Sequence, residues 1–219
     1  MYSAVIDPAP DHAAFALLEG DKVIVTERRP MRGRDAAALP VFILDTLKKY
    51  NVPFEDVKRW TVGSGPGSFT GLRLVAALVS AWTLGKEDIK TRNVPGAVAL
   101  GAGLNLRPGE KGGAVYDGRN HEILYFGLIG LPGKDLKPTG ETAVLDQAQA
   151  AAFFANRTGE KLAMFASESS AITKVLPPGI TPESFEFSHT AQLALTQVQD
   201  FDNDLTRLVY IRPAVYTQN

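Results

Sequence analysis

The chain contains no cysteine, and this absence excludes several functions at once. Without a thiol there is no disulfide framework, no thiolate metal site and no cysteine nucleophile. Histidine is scarce too: His12, His121 and His189 are far apart in sequence, and none has a second histidine at the spacing of helical metal ligands. The sequence therefore excludes thiol chemistry and gives little support to a metal centre.

An excess of charge of either sign is also missing. The chain has 23 Lys and Arg residues against 24 Asp and Glu, a net charge of −1, whereas proteins that bind nucleic acid on their own use many basic residues to neutralise phosphates. The longest uncharged apolar run, residues 74–85, is too short to span a bilayer. The N-terminal residues lack the basic segment of a secretory signal. We expect a cytoplasmic globular protein that does not bind nucleic acid by itself.

The first half of the chain has the pattern of a mixed sheet with helices. Short apolar segments bounded by turn residues predict strands, and apolar residues spaced along one face predict helices. One helix is expected to follow Asp35 and to run to about Tyr50, with Pro40 near its start. The other expected elements are strands at 3–6, 14–18, 22–26, 59–62 and 89–94, and helices at 72–84 and 97–104.

The second half is patterned less clearly. Strands are expected at 114–117, 122–129 and 161–166, and helices at 146–155 and 191–198. Between the halves, residues 107–113 contain three glycines and a proline and are typical of a hinge. We therefore expect two lobes, residues 1–106 and residues 107–219.

The most informative segment is the glycine-rich run Gly-Ser-Gly-Pro-Gly-Ser-Phe-Thr-Gly-Leu-Arg at residues 63–73. A glycine turn that leads into a helix can gather unpaired N–H groups around an anion, and a tight turn that binds nothing fits the same residues. The run is not a Walker loop, because Leu72 follows Gly71 where lysine is required. It also lacks the glycine spacing of a dinucleotide fingerprint and of a nucleophile elbow around Ser68.

The helix that follows this run is apolar on two sides. No charged residue lies between Arg73 and Lys86, and the helix expected after Asp35 carries a similar doubled pattern with Val41 and Leu44 off its main stripe. A helix that is apolar all round is buried on both sides, so the second side is covered either by the same chain or by another subunit. The two stripes of the 72–84 helix are Leu72, Val75, Val79 and Trp82, and Leu74, Ala77, Leu78 and Ala81.

Two further groups of residues could carry function. Asp7 closes the first strand, where an acidic residue could sit beside bound phosphate, but Pro8 and Pro10 lack the N–H donors that a phosphate loop needs; a turn residue is the other interpretation. Four arginines lie between the third expected strand and the first expected helix: Arg28, Arg29, Arg32 and Arg34. They could contact phosphate or an acidic partner, or lie in a solvated loop.

Residues Gly65 to Arg73 resemble the signature of the TsaB family, also called YeaZ, whose members help to form threonylcarbamoyladenosine in tRNA. The resemblance implies an α/β protein of the actin-like, Hsp70 and sugar-kinase (ASKHA) ATPase fold, with two lobes of mixed sheet flanked by helices. The order of elements expected in the first half is also that of one such lobe. The family carries a glycoprotease-like domain and acts as a non-catalytic, activating subunit.

The resemblance implies roles for particular residues. The signature loop is Gly65, Pro66, Gly67, Ser68, Phe69, Thr70, Gly71 and Arg73. The implied partner interface is Leu39, Ile43, Leu47, Leu72, Val75, Val79 and Trp82. Asp7 in the first lobe, and Asp117, Arg119 and Glu122 in the second, correspond to family elements that are structural or remain from a nucleotide site. Tyr210 and Arg212 match a C-terminal element. The chain departs from the family at Pro8, Arg34 and Leu208, which puts roles at these positions in doubt.

The same resemblance implies partners and cofactors. The expected partners are a TsaD-like catalytic paralogue and a TsaE-like ATPase, with homodimerisation through the same helices and contact with tRNA only through the complex. No catalytic residue, metal or cofactor is expected in this chain itself, and ATP or ADP with a metal enters through the catalytic partner. The alternative is a free-standing ATP-dependent kinase or ATPase of the same fold, which would need a working phosphate loop after Asp7.

Overall fold

The computed structural model describes residues 1–9, 12–31, 37–66, 69–157, 159–197 and 199–211. Internal contacts divide the chain into two units. The first comprises Met1–Ala99 and Thr190–Val209, and the second comprises Leu100–His189 with the described residues after Val209. The division into lobes at residue 107 remains a prediction. The contacts add that residues 190–209 belong with the first unit, a return of the chain for which the sequence carries no signal.

Ten strands and six α-helices make up the described part of the chain. The strands are β1 (Tyr2–Pro8), β2 (His12–Glu19), β3 (Lys22–Pro30), β4 (Val57–Gly63), β5 (Lys90–Val94), β6 (Lys111–Arg119), β7 (Glu122–Gly130), β8 (Leu136–Leu145), β9 (Lys161–Phe165) and β10 (Glu183–Phe185). The helices are α1 (Leu39–Lys49), α2 (Phe69–Thr83), α3 (Gly96–Gly101), α4 (Gln147–Phe154), α5 (Ser169–Ile172) and α6 (Gln192–Leu195). Short 3-10 turns connect some of them.

The first unit is built on a five-stranded sheet in the order β3-β2-β1-β4-β5. Strand β1 is antiparallel to β2 and parallel to β4, so that Val5 lies opposite Ala16 on one side and Thr61 on the other. Strand β5 continues the parallel side and β3 the antiparallel side. Three antiparallel strands that lead into a partly parallel sheet confirm the order of elements expected from the sequence.

Helices α1 and α2 cover this sheet. Pro40 lies in the first turn of α1, where its missing N–H leaves no intrahelical bond unmade. The described helix begins at Leu39, and Asp35 lies outside the described residues. Phe42 meets Phe15 of β2 edge-on at a centroid distance of 6.5 Å. Buried side chains of both helices and of three of the strands, β1, β2 and β4, form one apolar cluster, the core of the first unit.

The second unit repeats this topology. Its sheet has the order β10-β9-β6-β7-β8, with β6, β7 and β8 antiparallel and with β9 and β10 parallel to β6. Helices α4 and α5 contribute Phe154 and Ile172 to a second buried cluster around Tyr125. Two units of this arrangement are those of the predicted ASKHA fold, and the fold class is confirmed.

Some elements differ from their predictions. The helix expected at 97–104 is α3 followed by a 3-10 turn, and the helix expected at 191–198 is the single turn α6, because Thr196 is already extended. Strand β8 has no counterpart among the expected strands: it contains Pro138 and Gly140, and half of its residues are exposed, most of them in one run, so its sequence shows no alternation. In the part of the chain that the structure describes, no helix is long and apolar enough to cross a membrane.

Candidate binding site at the glycine-rich turn

Asp7 lies near the end of β1 in a cradle formed by two glycines. Its side chain is 4% exposed. A β-carbon on Gly63, at the end of β4, would collide with Asp7 Oδ1, and one on Gly96, at the start of α3, would lie 3.0 Å from the same atom. Glycine is needed at both positions because the carboxylate occupies the space of their side chains. The carboxyl ends of the parallel strands, where ligands bind in open α/β sheets, therefore meet around a buried carboxylate.

Three backbone hydrogen bonds fix the base of the glycine-rich turn. The Ser64 N–H donates to the Val94 carbonyl at 2.8 Å, and the Gly96 N–H donates to the Gly65 carbonyl at 2.7 Å. The Val209 N–H donates to the Ser64 carbonyl, also at 2.7 Å. Gly65 has a φ of +105° and precedes a cis peptide bond to Pro66. The turn base is thus fixed by β5, by α3 and by the C-terminal part of the first unit.

The remaining signature residues belong to the start of α2. Gly67 and Ser68 lie outside the described residues, and the helix begins at Phe69. Gly71 is buried, whereas Thr70 and Arg73 are exposed on the helix surface. Among the signature residues whose side chains the structure describes, Thr70 and Arg73 are therefore the exposed ones.

Pro8 and Ala9, the described residues that directly follow Asp7, offer no free N–H to a phosphate. Pro8 has no N–H, and the Ala9 N–H donates to the carbonyl of Asp7 at 3.2 Å. The carboxylate of Asp7 could hold a metal ion, but the N–H groups that a phosphate loop would need are missing at Pro8 and engaged at Ala9. Within the described ranges, no three histidine or acidic side chains gather closely enough to hold a metal ion.

The structure corrects the choice of interface side chains on α1 and α2. Six of the seven predicted residues are between 0 and 2% exposed and lie in the interior of the first unit. The seventh, Trp82, is partly buried in an aromatic cluster, 5.3 Å from Phe54 and 5.5 Å from Trp60 between ring centroids. These side chains pack inward because their stripes face the sheet. The six are Leu39, Ile43, Leu47, Leu72, Val75 and Val79.

The other apolar stripe faces outward. On α1, Val41 is 58% exposed and Leu44 is 43% exposed. On α2, Ala77 and Ala81 are exposed and the two leucines beside them are partly buried. An apolar cavity of about 410 Å³ adjoins Leu44 at the end of α1. We use the name outer stripe for these apolar side chains of the two helices, each of which is exposed or only partly buried: Val41, Leu44, Leu74, Ala77, Leu78 and Ala81.

The predicted residues of the second unit form a tight hairpin end. Arg119 has a φ of +61°, and its N–H donates to Asp117 Oδ1 at 2.8 Å. Arg119 lies opposite Glu122 in the β6–β7 pair, just after a bulge at Gly118. A carboxylate that accepts a bond from the backbone two residues later is a common turn device. These contacts are those of a structural turn.

A buried tyrosine in the second unit escaped the sequence analysis. The Tyr125 hydroxyl donates to Glu160 Oε1 at 2.5 Å, and Arg157 pairs with Glu141 and lies 4.0 Å from the centroid of Phe153. Burial and the bond to Glu160 raise the pKa of Tyr125 well above its usual range. Tyr125, Arg157, Glu141 and Glu160 together link β7, β8 and the segment after α4. The nearly continuous apolar run of β7 gives no sign of this polar cluster.

Comparison with known proteins identifies one family and solved structures with a similar fold. The family model described as TsaD: tRNA N6-adenosine threonylcarbamoyltransferase matches residues 34–214. A crystal structure of an uncharacterized protein with similarity to peptidase YEAZ from Pseudomonas aeruginosa matches with a TM-score of 0.74 and 18% identity, covering 96% of this chain and 99% of that one. YeaZ from Pseudomonas aeruginosa matches with a TM-score of 0.69 and 18% identity, covering 89% of each chain. Among curated protein sequences, none matches this chain.

Both solved structures share the fold of this chain over most of its length. At 18% identity the likeness concerns the path of the backbone and the topology of the two units, and it carries no residue-level role.

Proposed function

The chain belongs to the TsaD family of tRNA N6-adenosine threonylcarbamoyltransferases, and we propose that it acts in this tRNA modification as a non-catalytic subunit of the TsaB type. Membership of the family, together with the fold shared with YeaZ, confirms the resemblance noted from the glycine-rich signature. In the proposed role the chain binds a TsaD-like catalytic paralogue and keeps it in its active arrangement. The chemistry of this chain is then packing rather than bond making.

The outer stripe is the observation that carries the proposal. Its leucine and valine side chains lie on helices whose other side already fills the core of the first unit. Full burial of a large apolar side chain contributes about 1.5–3 kcal/mol, so a partner that covers several of them gains enough to bind. The exposed alanines between them let a partner helix approach closely.

The surroundings of Asp7 support the non-catalytic part of the proposal. A phosphate at the end of β1 would need backbone donors, and neither Pro8 nor Ala9 has one to give. In the proposed complex, ATP or ADP and its metal therefore bind the catalytic partner, and this chain needs no cofactor of its own. A TsaE-like ATPase joins the complex, tRNA is contacted only through it, and the assembly works in the cytoplasm.

A second copy of this chain is a competing occupant of the outer stripe. A homodimer through α1 and α2 would bury the same side chains as the heterodimer. The proposal therefore includes exchange of a homodimer for the complex with the TsaD-like protein.

Co-elution of this chain with the TsaD-like protein of the same organism on size exclusion, with and without ATP, tests the proposal. We expect a shared peak of defined stoichiometry. Ala77→Arg and Ala81→Arg place a charge on the outer stripe without disturbing the core, because both positions are exposed and arginine is a good helix former. Both variants should fold and lose the shared peak, and the matched control Ala151→Arg, on the exposed side of α4, should keep it.

The opposite results would remove the proposal. If the two proteins elute apart under all conditions and this chain hydrolyses ATP by itself, the free-standing ATPase is the correct function and Asp7 becomes the residue to replace. If Ala77→Arg and Ala81→Arg both co-elute as the wild type does, binding does not use the outer stripe.

A further inference from the structure

Arg92 of β5 is buried and uses its whole guanidinium group inside the first unit. The side chain is 3% exposed. It donates five hydrogen bonds, which equals the number of N–H donors that a guanidinium carries. Nε donates to Thr61 Oγ1 at 3.2 Å, Nη1 to the carbonyls of Thr196 at 3.0 Å and Gln199 at 2.5 Å, and Nη2 to the carbonyls of Leu193 at 2.9 Å and Ala194 at 2.8 Å.

These acceptors join the sheet to the C-terminal part of the chain. The carbonyls come from the end of α6, where helix carbonyls have no partner within the helix, and from Gln199 just beyond it. The ring of Phe201 lies over the guanidinium at 4.4 Å, an arrangement that attracts the cation. Arg92 therefore holds α6 and the first residues after it against β4 and β5.

Residues 199–209, which we call the strap, then run along β5. Thr91 and Asn203 bond reciprocally: the Asn203 N–H donates to the Thr91 carbonyl at 2.9 Å, and the Thr91 N–H donates to Asn203 Oδ1 at 2.8 Å. Asn93 Nδ2 donates to the Arg207 carbonyl at 2.9 Å. The strap thus occupies hydrogen-bonding groups of β5, the last strand of the sheet on this side, which would otherwise be an open edge.

The strap ends at the glycine-rich turn. The Val209 N–H donates to the Ser64 carbonyl, and this bond is one of the three that fix the base of the turn. Within this fully described segment, Leu205 is the one deeply buried apolar side chain. A cavity of about 370 Å³ lies between the strap and the end of α2, lined by Ser80, Thr83 and Leu205 among others. The strap is therefore held largely by polar bonds, and its apolar contacts with the core of the first unit come from Leu205 and Leu208.

We propose that the strap opens as one unit while the five-stranded sheet stays folded, and that Arg92 is the positioning residue that keeps it closed. Segments with few buried apolar contacts open at a lower free energy than the core that carries them. Opening breaks the bond from the Val209 N–H to the Ser64 carbonyl, which is one of the three hydrogen bonds that fix the base of the glycine-rich turn. It also uncovers the β5 groups at Thr91 and Asn93. This inference is independent of the proposed function, because it concerns the first unit alone.

Amide hydrogen exchange on the full chain tests the proposal. Arg92→Lys keeps the charge but cannot reproduce the five-bond geometry of the guanidinium. We expect peptides that contain Asn203, Val209 and Thr91, whose N–H groups bond across the contact between the strap and its neighbours, to exchange at least about tenfold faster than in the wild type, while β1 and β2 keep their protection. The matched control is Arg59→Lys, because Arg59 is exposed on β4 and lies over the same Phe201 ring at 5.1 Å. It should exchange as the wild type does.

A second variant decides the question if Arg92→Lys does not fold. Asn203→Gly removes the side-chain bond to Thr91 and still allows the φ of +59° at this position. We expect faster exchange in the strap, including the Val209 N–H that donates to Ser64, again with β1 and β2 unchanged. The proposal is overturned if the strap keeps its wild-type exchange rate in a folded variant. It is also overturned if β1 and β2 accelerate by the same factor, since the strap would then open only with the whole unit.

Discussion

The carboxylate of Asp7 fills the space that a side chain on Gly63 would need. A β-carbon on Gly96 would lie 3.0 Å from the same carboxylate oxygen. The pair explains why the end of β4 carries glycine whatever the turn binds, since the requirement comes from the neighbouring strand. The need for glycine at position 63 can therefore be tested by measuring the free energy of unfolding, without any ligand.

Replacement of Gly63 by alanine should destabilise the fold through Asp7. We expect Gly63→Ala to lower the free energy of unfolding by about 1–3 kcal/mol, the usual range for overpacking. Urea denaturation measures it. The double variant Asp7→Ala with Gly63→Ala should lose less stability than the sum of the two single variants, because the colliding carboxylate is gone. Strictly additive losses would show that the two positions do not interact.

An arginine on the buried side of α2 should destabilise the fold, whereas an arginine on its exposed side should leave the stability almost unchanged. Val79→Arg forces a charge into the core and should abolish cooperative unfolding, since an unpaired buried charge costs several kcal/mol. Ala81→Arg, two residues away and exposed, should stay within about 0.5 kcal/mol of the wild type. Circular dichroism during urea titration separates the two. A well-folded Val79→Arg would mean that this stripe is not the buried one.

The first turn of α4 depends on Asp146. Its side chain accepts a bond from the Gln149 N–H at 2.8 Å, and Gln149 Oε1 accepts one from the Asp146 N–H at 2.9 Å. Loss of such a cap costs about 0.5–2 kcal/mol, so Asp146→Ala should lower the urea midpoint by the corresponding amount. Gln147→Ala, on the same exposed turn but outside this pair of bonds, is the control and should leave the midpoint unchanged.

Tyr125 should make stability fall at alkaline pH. Its pKa is raised in the folded state, so the unfolded chain loses the tyrosine proton first as the pH rises above about 10. The unfolded state then binds fewer protons than the folded state, and the free energy of unfolding falls by up to about 1.4 kcal/mol per pH unit from this group. The difference between the wild type and Tyr125→Phe isolates it. Parallel pH profiles for the two proteins would contradict the assignment.

Local patterns were sufficient to predict much of the first unit. The short strands around Val5, Ala16 and Val25 are bounded by clear turns and were expected where they occur. The apolar run after Arg73 predicted a helix at 72–84, and the observed helix α2 runs from Phe69 to Thr83. The helix before it was expected from Asp35, whereas the described helix begins at Leu39. Strand β8 could not be foreseen, because an exposed strand interrupted by proline and glycine has no periodic signal.

The candidate site was predictable only in part. The signature marked the turn, but the side of α2 that faces the sheet could not be derived from a helix that is apolar on two sides, and Val75 was assigned to the wrong surface. Arg92 is one charged residue in a short strand, and its acceptors lie about a hundred positions away in the chain. Long-range partners of this kind leave no trace in local periodicity.

Because the two units share one strand order, equivalent positions in their sheets can be compared. Each unit places an aspartate near the end of its first strand, Asp7 in β1 and Asp117 in β6. The surroundings of the two aspartates can therefore be compared directly. In the first half the aspartate is enclosed by glycine backbones, and in the second it bonds to its own hairpin through the Arg119 N–H. The two units thus share one strand order, while the surroundings of the aspartate at the end of the first strand differ between them.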